Sequence, residues 1–350
     1  MKRVLESYGP DGFGNYEVEW TPSGPVLERV SKAAHGVLIP GFVDLHIHGA
    51  FGIDFMSASA SDMAVLCDKL AVEGYEAFLP TTISSPAILV LKALKNLSDH
   101  PMVHGFHLEG PFISPKHPGA QPQDAIEEPP SPGSDWETIL NHPRLRYITL
   151  APEMPHALEL TSRLMQRKVI VSMGHTDATF DQARTGFEFG ASHATHMFNA
   201  MRPFHHREAG MVGYALLNDS LSTELIYDRK HVSLEAARLL FRSKPLDRVI
   251  AVSDSTMATG MPPNLKIEMW GLDCVTGDKE VRLEDGTLAG SAITLHDAFK
   301  NLAEDFGLEI AVHACCLNPR RALGLSERPR VYVEMDSDLN IVERYAAPAG

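Results

Sequence analysis

Short apolar runs rich in β-branched residues alternate with amphipathic stretches along most of the chain. The apolar runs predict buried strands, and the stretches between them place apolar residues at intervals of three and four, as helices with one buried face do. Several of these stretches begin with Ser, Thr or Asp, the residues that cap helix N-termini. The predicted strands are 36–48, 77–84, 103–111, 146–153, 169–176, 193–200, 221–228 and 249–256. The predicted helices are 60–73, 86–98, 154–167, 179–189 and 233–241.

This alternation predicts an α/β fold with a parallel sheet. It fits a (β/α)8 TIM-type barrel better than an open doubly wound sheet, and no G-x-G-x-x-G turn follows a predicted strand. We expect the barrel to span residues 41–324, with an inserted hairpin at 264–288 that turns at Glu284-Asp285-Gly286. The proline-rich segment 113–133 is expected to form a long loop at the rim of the active site.

The two ends of the chain depart from the alternation. Residues 1–40 contain short apolar runs broken by Gly and Pro, and residues 325–350 have the pattern of a hairpin that turns at 336–338. We expect these two segments to pair into one small β-sandwich unit beside the barrel.

Composition and charge narrow the classes of partner. The 350 residues include 31 basic and 45 acidic side chains, and the formal net charge of −14 disfavours nucleic acid and anionic lipid as the main partner. A small phosphorylated ligand is still allowed, because it needs only a few local donors. The four cysteines lack C-x-x-C spacing, and neither a signal segment nor a membrane-spanning run is visible. We therefore expect a cytoplasmic protein that binds neither nucleic acid nor membrane.

Histidines and carboxylates lie at the C-terminal ends of several predicted strands. In a barrel these ends meet at one mouth and line the active site. Each residue alone could be a satisfied core or capping residue, but their placement at the same end of five strands predicts a site for a divalent metal ion. The strand-end residues are His46, His48, Glu109, His175, His196 and Asp254.

Several segments, in this order, resemble those of the N-acetylglucosamine-6-phosphate deacetylases of the amidohydrolase superfamily. The H-x-H pair alone would indicate only the superfamily, whereas the HLEGP, HMFNAM and LAGS segments narrow the resemblance to the deacetylases. The matching segments are PGFVDLHIHG (40–49), HLEGPFISP (107–115), GHTDA (174–178), HATHMFNAM (193–201), REAG (207–210), VSDSTMATG (252–260) and GTLAGS (286–291).

The resemblance implies a function and a set of roles. It implies metal-dependent hydrolysis of N-acetyl-D-glucosamine 6-phosphate to D-glucosamine 6-phosphate and acetate in amino-sugar catabolism. Glu109, His175 and His196 would hold the catalytic ion, and His46 with His48 would hold a second ion shared through Glu109. Asp254 would be the general acid and base. The implied substrate-binding residues are Ala120, Gln121, Asn199, Ala200, Arg207, Asp228, His231, Leu288, Ala289 and Gly290.

The implied partners and cofactors follow from the same resemblance. The ion would be Zn²⁺, with Fe²⁺, Co²⁺ and Mn²⁺ as alternatives for His and carboxylate ligands. The implied assembly is a homodimer in which some phosphate contacts cross the interface. Two positions depart from the family pattern: Gln121 replaces a histidine found in some members, and Arg229-Lys230 replace small residues.

Three other interpretations compete with this one. The nearest is deacetylation of N-acetylgalactosamine 6-phosphate, which differs only at C4 of the sugar. A second is another amidohydrolase with a modified lysine as metal bridge, but the fourth predicted strand ends Leu150-Ala151-Pro152-Glu153 without a lysine. A third is a scaffold without chemistry, which the complete set of ligand-type residues disfavours.

Overall fold

The computed structural model describes residues 2–22 and 24–346. Residues 347–350, which belong to the predicted terminal unit, lie outside the described residues, as do Met1 and Ser23. The strands are β1 (Arg3–Gly9), β2 (Gly12–Thr21), β3 (Gly24–Arg29), β4 (Val37–Pro40), β5 (Phe42–Ile47), β6 (Gly49–Ala50), β7 (Ile53–Asp54), β8 (Tyr75–Pro80), β9 (Phe106–Glu109), β10 (Leu145–Leu150), β11 (Ile170–Met173), β12 (His193–Ala194), β13 (Ser222–Ile226), β14 (Val249–Val252), β15 (Lys266–Met269), β16 (Leu272–Thr276), β17 (Glu280–Leu283), β18 (Leu288–Ser291), β19 (Val331–Met335) and β20 (Ile341–Ala346).

The helices follow most of the parallel strands. Three of them begin with a capping box, in which a Ser or Thr side chain and the side chain three residues later bond each other's backbone: α1, α5 and α8. The helices are α1 (Ala60–Val72), α2 (Ala87–Leu94), α3 (Glu137–Leu140), α4 (Ala157–Gln166), α5 (Phe180–Glu188), α6 (Gly210–Leu217), α7 (Leu234–Ser243), α8 (Leu295–Phe306), α9 (Leu308–Val312) and α10 (Asn318–Ala322). Within the described ranges, no helix is long and apolar enough to span a bilayer.

A curled parallel sheet forms the centre of the molecule. Six strands pair in the order β14-β13-β12-β11-β10-β9, and β5 pairs with β8 in a separate parallel ladder. Isolated parallel bridges connect the two sets, from Thr81 to His107 on one side and from Ile47 to Ser255 on the other. The C-terminal ends of all these strands therefore face the same way, and their side chains can meet at one mouth.

An apolar layer lies inside this sheet, below the mouth. Its residues come from alternate positions of β5, β8, β10, β13 and β14, as expected for strands with one face turned inward. The layer includes Val43, Leu45, Ala77, Leu79, Tyr147, Ile226, Ile250 and Val252. It gives the polar residues at the mouth a buried, apolar base.

The predicted strand 36–48 is two strands that belong to different sheets. β4 pairs with β1 and β19, whereas β5 pairs with β8. The chain crosses between the sheets at Gly41, where a Cβ atom would lie 2.8 Å from Glu76 Cβ and 2.9 Å from Val331 Cβ. A residue with a side chain does not fit at this crossing.

The terminal strands form one six-stranded sheet in the order β20-β19-β4-β1-β2-β3. Strands from both ends of the chain therefore lie side by side. The buried carboxylate of Glu76 in β8 fastens this sheet to the parallel one: it accepts hydrogen bonds from Arg320 and from the backbone N–H groups of Arg330 and Val331.

Two sequence predictions are wrong in detail. Segment 264–288 was expected to be one hairpin, but β15, β16, β17 and β18 form a four-stranded antiparallel sheet that continues to Ser291. The predicted strand 193–200 ends at Ala194, because the backbone turns into the left-handed region at His196, with φ +29°. Both errors concern segments at the mouth of the parallel sheet.

Candidate metal centre and active site

Three candidate site residues follow strands directly and have left-handed backbone conformations. His175 follows β11 with φ +48°, His196 follows β12 with φ +29°, and Asp254 follows β14 with φ +47°. Such values are uncommon for residues other than glycine and cluster at functional sites. At each of these positions the sharp turn ends the strand at the rim of the mouth.

Glu109, His175 and His196 form the first of two groups of metal-ligand type. Glu109 Oε1 lies 3.2 Å from Nε2 of His175 and 3.2 Å from Nε2 of His196, and the two nitrogens are 3.1 Å apart. Ligand atoms of a tetrahedral zinc ion are separated by about 3.3 Å when the bonds are about 2.0 Å long. The spacing of these three atoms therefore suits a small divalent ion.

His46, His48 and Asp254 form the second group. Asp254 Oδ1 lies 3.4 Å from His46 Nε2 and 3.3 Å from His48 Nε2. Glu109 contacts both groups, because Oε1 is 3.3 Å from His46 Nε2 and Oε2 is 3.2 Å from His48 Nε2. Glu109 can therefore serve as a ligand shared by two ions.

The electrostatics of the two groups favour a cation. Burial alone would raise the pKa of the Glu109 carboxyl, but His46, His175 and His196 lower it well below its ordinary value. Burial alone would lower the pKa of His48, but Asp254 and Glu109 raise it to about 9. The buried carboxylates therefore stabilise positive charge among the imidazoles, and a divalent ion supplies that charge. His46 Nε2 is buried and has no hydrogen-bond partner among the described residues, so the ligand set fits a metal ion.

Gln121 stands at a position where some members of the family that the motifs resemble have a histidine. Both the oxygen and the nitrogen of its side-chain amide are hydrogen-bonded. Its Oε1 accepts a 2.7 Å hydrogen bond from the backbone N–H of Ser84, and its Nε2 donates a 2.7 Å hydrogen bond to Glu109 Oε2. The amide therefore orients the carboxylate that both groups share.

The ligand residues border a cavity of about 190 Å³ at the mouth of the parallel sheet. Predicted metal, catalytic and substrate residues are brought together there with residues that were not predicted. The lining residues are His48, Ile83, Glu109, Gly119, Ala120, Gln121, His175, His196, Asn199, Ala200, Ile226, His231, Asp254, Trp270, Thr287, Leu288 and Gly290.

Glycine is required at position 290 of the lining. Its φ is +66°, and a Cβ atom there would lie 2.7 Å from Thr256 Cγ2 and 3.0 Å from the carbonyl oxygen of Asp254. The backbone of β18 can therefore approach Asp254 closely, as the predicted role of Leu288 and Gly290 in binding the substrate requires.

Three predicted substrate-binding residues do not line the cavity. Arg207 is exposed on a loop and lies beside His206, with 2.9 Å between Nη1 and Nε2. Asp228 lies behind His231 and holds its Nδ1 at 2.6 Å, which leaves the other ring nitrogen for the cavity. Ala289 is buried in the small core of the inserted sheet.

The basic side chain of Arg229 is bound to α8 and is not among the residues that line the cavity in the described part of the chain. It forms ion pairs with Glu304 and Asp305 of α8, at 2.8 Å in both cases. Its charge is therefore compensated by α8, and the departure from the family pattern at this position has a structural explanation.

Sequence reasoning missed Trp270 and Glu224. Trp270 lies at the β15–β16 turn; its Nε1 donates to Asp54 Oδ2 at 2.8 Å, and its ring packs 5.2 Å from that of His48. Nothing in the sequence indicated that this turn reaches the mouth. Glu224 lies in β13, whose five residues are all buried, and a charged residue within a predicted buried strand was an available signal.

The family model "Amidohydrolase family" matches residues 37–345 of the chain. The N-acetylglucosamine-6-phosphate deacetylase of Bacillus subtilis (strain 168) is 36% identical over 339 residues, which is 92% of this chain and 84% of the relative. The N-acetylgalactosamine-6-phosphate deacetylase of Escherichia coli O157:H7 is 33% identical over 310 residues, which is 86% of this chain and 82% of that protein.

The similarity to a deacetylase is also seen in the fold of a solved structure. The N-acetyl-D-glucosamine-6-phosphate deacetylase of Mycobacterium smegmatis, a mutant in complex with N-acetyl-D-glucosamine 6-phosphate, superposes with a TM-score of 0.87 and 27% identity. The match covers 99% of this chain and 98% of that one. The similarity therefore extends over the parallel sheet, the terminal sheet and the inserted sheet together.

Proposed function

The chain belongs to the amidohydrolase family, and on this premise we propose that it hydrolyses N-acetyl-D-glucosamine 6-phosphate to D-glucosamine 6-phosphate and acetate. It is a hydrolase that acts on the amide of a phosphorylated amino sugar, as its named relatives are. The observation that supports this most directly is the meeting of Glu109, His175, His196 and Asp254 at one cavity.

The amidohydrolase family is metal-dependent, and the chain has two groups that can bind an ion. We assign Glu109, His175 and His196 to the catalytic ion and His46, His48 and the shared Glu109 to a second one. When bound, a divalent ion polarises the amide carbonyl and makes the attacking water more acidic. Zinc fits the mixed His and carboxylate ligands, as Fe²⁺, Co²⁺ and Mn²⁺ also do.

Asp254 is proposed to move the proton. Burial alone would raise the pKa of its carboxyl, but His46 and His48 lower it below the ordinary value, so the group is ionised at neutral pH. As a base it accepts a proton from water while the water oxygen bonds to the acetyl carbon. It then gives this proton to the nitrogen as the carbon–nitrogen bond breaks, which releases acetate and the free amine.

Several residues are proposed to bind and orient the sugar. Gln121, fixed by Ser84, holds the shared carboxylate and lines the cavity beside Ala120. Asn199, Ala200, His231 and the Leu288–Gly290 segment border the same cavity and would contact the sugar and its phosphate. Asp228 acts through His231, whose ring it orients.

We propose that the phosphate is bound at a homodimer interface. Over the ranges 2–22 and 24–346, no Lys or Arg side chain lines the cavity, although a phosphate dianion needs cationic donors. Arg207 is exposed on the loop that follows the cavity residues Asn199 and Ala200 in the sequence, so it is open to a partner chain. The missing cation would be Arg207 of the partner subunit.

The architecture of the chain is proposed to be that of the family. The curled parallel sheet would be a closed (β/α)8 barrel over residues 41–324, and the terminal sheet, from 1–40 and 325–350, would be part of a small β-sandwich. The bridges at Thr81 and Ile47 support closure, because they connect the β5–β8 ladder to β9 and to the segment that follows β14. A cytoplasmic location stays a prediction.

A second substrate, N-acetylgalactosamine 6-phosphate, has its own support in the E. coli relative. The two substrates are distinguished by measuring the acetate and the primary amine that the zinc-loaded protein releases from each sugar. We expect kcat/KM to be at least about tenfold higher for the glucosamine derivative, which corresponds to about 1.4 kcal/mol. The reverse preference would assign the chain to the galactosamine substrate.

A further inference from the structure

Glu224 is a fully buried carboxylate that contacts both metal-ligand groups. Its Oε2 lies 3.3 Å from Nδ1 of His46 and accepts a 3.2 Å hydrogen bond from the backbone N–H of His196. Its side chain has no exposed surface. The residue belongs to β13, so its position is set by the pairing of that strand with β12 and β14.

The contact with His46 determines which ring nitrogen is available. A carboxylate beside Nδ1 accepts the ring proton there, so Nε2 keeps a free lone pair. That Nε2 is the atom directed at Glu109 and Asp254. Glu224 therefore orients the imidazole for an ion held by the second group.

The other ligand histidines are held differently. His175 Nδ1 lies 3.1 Å from the carbonyl oxygen of His117, which is a neutral acceptor. Nδ1 of His48 and Nδ1 of His196 have no hydrogen-bond partner within residues 2–22 and 24–346. Among the four ligand imidazoles, only His46 has a carboxylate behind it in the described part of the chain.

The presence of a carboxylate rather than an amide at position 224 therefore bears on the role of this residue. A buried carboxylate is costly unless charge or hydrogen bonds compensate it, whereas a glutamine of the same shape could still accept the hydrogen bond from His196. The negative charge gains most when His46 is bound to a cation, because the ring then carries more positive charge. The fold alone gives no comparable reason for a carboxylate at this position.

We propose that Glu224 is a positioning residue for a second metal ion, which it favours by fixing His46 with Nε2 free to bind. This inference rests on the proposed metal-dependent function. Glu224 does not touch the substrate cavity; it acts through His46 and, by its bond to the backbone of His196, keeps the two ligand groups at a fixed separation.

The test is a Zn²⁺ titration of the stripped full-length protein, with a competing chromophoric chelator, for wild type and Glu224→Gln. We expect two ions per wild-type chain. In Glu224→Gln the tighter ion should be retained and the weaker one bound about 10–100-fold less tightly, the range typical for loss of a ligand's hydrogen-bond partner. Glu334→Gln, which changes a buried carboxylate of the terminal sheet, is the matched control and should bind both ions as wild type does.

A double variant distinguishes positioning from general structure. His46→Ala should lose the weaker ion, and adding Glu224→Gln to it should cause no further loss, because Glu224 acts through His46. If Glu224→Gln does not fold, Glu224→Asp, which withdraws the carboxylate from Nδ1, should show the same selective loss. Retention of both ions at wild-type affinity, or equal weakening of both, would overturn the proposal.

The proposed role of Glu224 and the proposed deacetylase function can be overturned independently. A wild-type chain that binds one ion and releases acetate from the 6-phosphorylated sugar would overturn the role of Glu224 and leave the deacetylase function intact. A chain that binds two ions and releases no acetate would overturn the function alone.

Discussion

The two ends of the cavity are built in different ways. At the metal end, six buried side chains from the ends of strands lie within 3.1–3.4 Å of their neighbours. At the end proposed for the phosphate, His231 lines the cavity, and Arg207 is exposed on a loop outside it. The metal-ligand residues are therefore assembled within one chain, whereas phosphate recognition is proposed to need Arg207 of the partner subunit.

The difference shows what each end depends on. Strand pairing fixes the metal end, since neighbouring strands such as β9 and β10 pair Glu109 with Thr149 in a defined register. Arg207, proposed for the phosphate end, lies on an exposed loop, so no strand register fixes it. Variants at the metal end should therefore change the chemical step, and variants at the phosphate end should change binding.

The largest effect is expected for Asp254→Asn. The amide cannot accept the proton from water, so kcat should fall by about 10³-fold or more, while the ion assigned to Glu109, His175 and His196 is retained. Acetate release and elemental analysis of the same samples measure the two quantities. A variant that keeps most of the wild-type kcat would remove Asp254 from the proton-transfer role.

A smaller effect, on binding, is expected for Arg207→Ala. Loss of a charge-assisted contact to phosphate should raise KM for the 6-phosphorylated sugar by about 10–100-fold, and KM for the unphosphorylated sugar much less. Steady-state kinetics with both sugars measure this difference. Equal effects on the two sugars would exclude Arg207 from phosphate recognition.

Mixing two impaired variants, assayed at a substrate concentration well below the KM of Arg207→Ala, tests whether Arg207 acts across the interface. Asp254→Asn and Arg207→Ala, unfolded and refolded together, should form some dimers with one complete site and recover part of the activity. Each variant refolded alone is the control. Recovery no greater than the sum of the controls would place the phosphate contact within a single chain.

The smallest effect is expected for Asp228→Asn, which releases the ring of His231. Burial alone would raise the pKa of the Asp228 carboxyl, but the hydrogen bond with His231 lowers it below 3.8. A lowered pKa means that this pair stabilises the fold above pH 3.8 and that the stabilisation is lost as the pH falls through the lowered value.

Melting curves at two pH values measure this effect. At pH 6 the variant should melt on the order of 2 °C below wild type, and the difference should shrink at pH 3. KM for the phosphorylated sugar should rise a few-fold at neutral pH. A difference in Tm that is the same at both pH values would show that charge on Asp228 contributes nothing.

The metal end could be predicted from the sequence because its residues follow apolar strands. The pattern placed Glu109, His175 and Asp254 at strand ends, and the parallel pairing of these strands brings such ends together. The comparisons confirm the family that the motifs indicated. Gln121 was visible as a departure, but its hydrogen bonds to Ser84 and Glu109 required the structure.

The remaining features depend on contacts between distant segments. The inserted sheet was expected to be one hairpin, since Glu284-Asp285-Gly286 is a clear turn signal and the other turns are weaker. Trp270 reaches the mouth because the inserted sheet is joined to the segment after β14 by the bridge between Ser291 of β18 and Ser255, which the local pattern does not encode. The backbone turn at His196 is likewise set by its surroundings rather than by local propensity.

The central claim is that the buried ligands at the strand ends support metal-dependent removal of the acetyl group. The most direct measurement follows acetate and glucosamine 6-phosphate released from N-acetyl-D-glucosamine 6-phosphate by the protein as purified, after stripping of metal, and after return of Zn²⁺. We expect equal amounts of the two products, loss of activity on stripping and recovery with Zn²⁺. No release of acetate by the zinc-loaded protein, or undiminished release by protein shown to be free of metal, would contradict it.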